Sequence, residues 1–103
     1  MKKYNKLVRD RIPEIIRSNG NTPRYRVIES DAEYLQALLK KDIEESAELR
    51  DNPSLEELAD KLEILNAIGK ALGYNPHEIE LARAKKAKEN GGFDARIFLE
   101  STD

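Results

Sequence analysis

A three-residue break, Asp51-Asn52-Pro53, separates two long stretches of helical periodicity. Proline pushes the residue before it out of the α region, so a helix ends there. A link this short leaves two helices little choice but to lie antiparallel as neighbours. On either side the pattern is plain. Ser30 and Glu33 have the spacing of a capping box and open a helix whose periodicity runs from Ala32 to about Leu49. Ser54 and Glu57 repeat that spacing and open a second helix that runs to Leu72, with Gly73 as its stop. Asn75-Pro76-His77-Glu78 is a third helix start, with proline at the first helical position, and Gly91-Gly92 ends that helix after Asn90. Ahead of these, Asp10 to Ile16 reads as a short helix with Asp10 as N-cap and Pro13 in its first turn.

Two further stretches have strand character. Tyr25–Glu29 and Ala95–Glu100 are short, alternating and rich in β-branched or aromatic residues, and are expected to pair with each other. The expected fold is therefore mainly α: an antiparallel helical bundle with a minor two-stranded β element, in a single domain spanning residues 1–103.

Composition narrows the function classes. The chain has no cysteine, which excludes disulfides, thiolate nucleophiles and cysteine-ligated metals. Lys+Arg number 18 against 20 for Asp+Glu, a net charge of −2, which argues against a nucleic-acid polymer or an anionic membrane as partner. No run of about 18 apolar residues is present, and the basic start Met1-Lys2-Lys3 is not followed by an apolar stretch of the kind a signal peptide needs. The expectation is a cytoplasmic protein.

The chemistry concentrates around the break. Glu44, Glu45 and Glu48 fall near the end of the first long helix, Glu57 and Asp60 near the start of the next. Glu45 with Glu48, and Glu57 with Asp60, are spaced i,i+3, so each pair shares a helix face. Positions equidistant from the turn share a height in an antiparallel hairpin, which sets Glu45 opposite Asp60 and Glu48 opposite Glu57. Tyr34, Leu38, Glu45 and Leu49 lie on one face of the first helix, so Glu45 stands where a core residue is expected. Four converging carboxylates repel one another and resist desolvation unless a cation neutralises them. With oxygen donors alone, that cation is Mg²⁺, Mn²⁺ or Ca²⁺. The same spacing also suits solvated helix-face acids paired with Lys40 and Lys41, with Glu57 serving only to cap Ser54.

Glu44-Glu45-x-x-Glu48 followed by Glu57-x-x-Asp60 resembles the metal signature of the MazG-like, all-α nucleoside triphosphate pyrophosphohydrolases, a superfamily that includes phosphoribosyl-ATP pyrophosphohydrolases and dimeric dUTPases. The opening Tyr4-Asn5-Lys6-Leu7-Val8-Arg9-Asp10-Arg11-Ile12-Pro13-Glu14 and the late Gly91-Gly92-Phe93 are similar to a small, single-domain branch of it. The resemblance implies Mg²⁺-dependent cleavage of a nucleotide between its α- and β-phosphates, giving a monophosphate and pyrophosphate. It also implies metal ligation by Glu45, Glu48, Glu57 and Asp60. On that reading Glu44 or Glu48 takes the proton of the attacking water. Lys6, Arg9, Arg11, Arg83 and Lys86 are the candidate cations for the substrate phosphates. The alternative is a non-catalytic metal- or nucleotide-binding module, or a helical interaction module, of the same fold. The second long helix is apolar on two sides, with Leu55, Leu58, Ala59, Leu62 and Leu65 on one and Ile64, Ala67, Ile68 and Ala71 on the other. A homodimer or higher homo-oligomer would cover both, and the resemblance points the same way.

Overall fold

The computed structural model describes residues 2–103; Met1 lies outside them. Four helices follow in order: α1 (Ile12–Ser18), α2 (Asp31–Asp51), α3 (Leu55–Ala71) and α4 (Pro76–Asn90). The Ser30 and Ser54 hydroxyls accept the backbone N–H of Glu33 and Glu57, each at 3.2 Å, so both long helices begin where their caps place them. Only Asn75 and Glu78 complete the reciprocal box, with bonds in both directions. The Glu33 carboxylate pairs with Arg26 instead.

The α2–α3 hairpin is the body of the molecule, and α4 packs on α3 but not on α2. The two long helices meet along Leu38, which is 2% exposed, and a row of half-buried residues that includes Leu35, Ile64, Ala67 and Ile68. Gly69 is buried where the Ile79 side chain of α4 rests directly against it, a spot with no space for a Cβ. The shape is long, 58 × 31 × 26 Å, with a radius of gyration of 17.9 Å. A compact chain of this size would have one of about 13 Å.

Three expectations are corrected. No strand forms among the described residues: Tyr25–Glu29 and Ala95–Glu100 are both extended but unpaired. A two-stranded pair is marginal without a surface to pack on, and Val27, Ile97, Phe98 and Leu99 all stand exposed. α1 starts at Ile12 rather than Asp10, with Arg11 at its N-cap and no side-chain cap bond, and it runs on to Ser18. Tyr34 is no core residue; it is 37% exposed and lines an open cleft of about 440 Å³ with Asp31, Ala67, Lys70 and Ala71.

Candidate metal centre

The antiparallel hairpin brings one oxygen each of Glu45, Glu57 and Asp60 within 4.8 Å of one another. α2 supplies Glu45 from the face that also carries Leu38, and α3 supplies the other two from its first turns. Capping explains how Glu57 is available. Its backbone N–H is held by Ser54 while its carboxylate does not return to Ser54, leaving the side chain free to turn toward α2.

Glu45 is 6% exposed, and its Oε2 has no hydrogen-bond partner. Glu57 Oε2 is likewise buried and unpartnered. Unsatisfied buried carboxylate oxygens are costly, and such oxygens normally have a donor, a water or an ion. Burial first, and the neighbouring charge of Glu48 second, push the Glu45 carboxyl above the usual glutamate range; Lys41, 3.4 Å from its Oε1, offsets part of this. Three carboxylates with spare lone pairs and no nitrogen or sulfur ligand match the donor set of a hard divalent cation.

Glu48 stands outside the converging trio and is exposed. A step of three residues leaves about 60° between Glu48 and Glu45 around α2, so when Glu45 faces α3 squarely, Glu48 sits at the rim. The pairing of Glu45 with Asp60 across the hairpin is as the spacing implies. Glu57, expected opposite Glu48, gathers with Glu45 instead. Glu44 is drawn the other way. Lys6 Nζ donates to its Oε1 at 3.0 Å and Lys41 lies 3.8 Å from its Oε2, and the Lys6 bond holds its carboxyl below the usual range.

Of the five candidate phosphate cations, the fold brings two to the acids. Lys6 binds Glu44, and Arg9 binds Asp60 at 2.7 Å with Glu63 at 3.9 Å. Arg11 pairs with Glu14 in its own segment, at 3.2 Å, and Arg83 with Glu80 one turn back on α4. Lys86 is exposed on α4, the helix that does not touch α2. Sequence reasoning missed the Lys61 ammonium, which crosses the hairpin to Asp42 and to Ser46 Oγ. Those residues sit at nearly equal distances from the turn, so the register that pairs Glu45 with Asp60 contained the signal.

Comparison with known proteins adds one partial likeness. An uncharacterized protein of Mycolicibacterium smegmatis is 61% identical over 44 residues, 43% of this chain. The matched stretch spans 44% of that protein's length. No family model and no solved structure matches the chain.

Proposed function

We propose that this chain is a Mg²⁺-dependent nucleotide pyrophosphohydrolase of the MazG-like type, with Mn²⁺ as a substitute. The observation that carries the reading is the trio of Glu45, Glu57 and Asp60, with two buried carboxylate oxygens lacking any partner. Glu45, Glu57 and Asp60 hold the ion; Glu48, at the rim, reaches the site only through the space beside Glu45. When bound, the ion neutralises phosphate oxygens and orients a water for in-line attack.

The protein's own residues do the rest. In hydrolysis the water oxygen bonds to phosphorus, the phosphoanhydride P–O bond breaks, and pyrophosphate leaves with the electron pair. The water's proton goes to a carboxylate. Glu44 is the weaker base of the two candidates, because Lys6 stabilises its charged form. Glu48 has no ion pair among the described residues and is the better acceptor. Lys6 and Arg9, already at the edge of the acid group, are the cations nearest to an incoming phosphate chain.

The test is a panel of nucleoside triphosphates, with pyrophosphate release measured with and without Mg²⁺. Mg²⁺-dependent release from at least one of them, lost in Asp60→Asn, is the expected result. Metal binding with no turnover on any substrate would favour the non-catalytic module, and no metal binding would leave only the interaction module.

A further inference from the structure

Leu55, Leu58, Leu62 and Leu65 form a ridge along α3 on the side away from α2, each between 46% and 80% exposed. Their spacing alternates three and four residues, the repeat of a coiled-coil seam. The same 3-4 spacing continues to Gly69, where α4 closes over α3 through Ile79. Up to that point nothing in the chain covers the ridge. We infer that this leucine seam of α3 is the contact surface for a second copy of the chain, which packs its own α3 seam against it and completes a four-helix core from two α2–α3 hairpins.

Three observations select a second copy as the occupant. The first is area. The chain exposes 9,581 Å², whereas a folded monomer of its mass exposes roughly 5,900 Å². Part of the excess belongs to the extended ends and part to α3. It is larger than the roughly 1,200–2,000 Å² that a stable interface removes. The second is self-complementarity. A leucine ridge with a 3.5-residue period supplies both the knobs and the holes that a copy of itself requires. The third is charge. On the open flank of the seam, at the positions that face a partner's flank, stand Ala59 and Asn66, so two copies meet there without like charges. The inference does not depend on the metal reading, because the acids lie on the α2 side of α3.

Sedimentation equilibrium of the full chain, from low to high micromolar concentration, is the first arm. The expected result is twice the chain mass. Leu58→Glu combined with Leu62→Glu should weaken association about 100-fold or more, with helical circular dichroism retained. Ile43→Glu, exposed on the outer face of α2, should leave it unchanged. A second arm stands even if the double variant unfolds. The chain has no cysteine, so single Leu55→Cys, Leu58→Cys, Leu62→Cys and Leu65→Cys chains carry one thiol each. Under mild oxidation the position nearest the two-fold axis should form a disulfide-linked dimer, while Glu56→Cys should not; the bridge requires Cα atoms about 4.4–6.8 Å apart. A wild-type monomer at every concentration, or an oligomer indifferent to the seam substitutions with no seam cysteine cross-linking, overturns the inference.

Discussion

Arg9 and Asp60 are joined across most of the chain's first half: Arg9 Nη2 donates to Asp60 Oδ1 at 2.7 Å. The arginine thus occupies one of the three oxygen-bearing residues that gather between α2 and α3. Both side chains are more than a third exposed, so the pair is worth only about 0–1 kcal/mol. A divalent cation entering at Asp60 must displace it. Arg9→Gln should therefore tighten Mn²⁺ binding by up to about fivefold in calorimetric titration. Equal or weaker binding would show that the arginine does not compete for the carboxylate.

Mg²⁺ or Mn²⁺ should raise the melting temperature, since an ion that binds only the folded chain stabilises it by about 2.7 kcal/mol at a hundredfold excess over Kd. Asp60→Asn should abolish the rise. A thermal shift that survives this substitution would place the ion elsewhere.

Glu45 makes stability depend on pH in a direction of its own. Its folded-state carboxyl titrates above the ordinary range because it is buried and faces Glu48. The folded chain therefore holds this proton more tightly than the unfolded one. The associated stability is fully present below the unfolded value of about 4.3 and is lost as pH rises through the folded value. Without metal, Glu45→Gln should raise the melting temperature at pH 7 by a few degrees, and the gain should shrink toward pH 4. A drop at pH 7 would mean that the Lys41 contact outweighs burial.

Glu48→Gln keeps the shape and removes the charge. If Glu48 accepts the water's proton, turnover should fall about 10²–10⁴-fold, with metal-free stability level or higher. Arg50→Gln, one turn of helix away from the acids and exposed, is the control and should change neither strongly. A stable, fully active Glu48→Gln would move the base role to Glu44.

What the sequence discloses here is mostly local. Ser30, Ser54, Asn75 and Pro53 act on the backbone within one turn, and the helices begin and end within two residues of where those groups place them. The meeting of Glu45 with Asp60 follows from the same source, since a short turn fixes the register of two helices. What stayed hidden depends on neighbours. Tyr25–Glu29 and Ala95–Glu100 have strand composition, but a strand exists only when another lies beside it. Tyr34 shares a face with Leu38, yet α3 covers that face fully only at Leu38. Which acid joins the trio turned on side-chain direction: Glu57 leans across to Glu45 while Glu48 stays at the rim. Arg9 reaching Asp60 is a contact between segments with no shared periodicity, and no local pattern encodes it.

The hairpin has a consequence for how the chain folds as well as for what it binds. Glu45, Glu57 and Asp60 lie on two consecutive helices joined by one tight turn, so gathering them closes a short loop. Contacts of low sequence separation form early, and energy placed in them enters the rate of folding rather than only the rate of unfolding. A cation at this trio should lift the refolding arm of a chevron plot while barely moving the unfolding arm. The acids that repel one another in the metal-free chain are then a brake on its first tertiary contact, and the ion that releases the brake also fixes the order in which the molecule assembles.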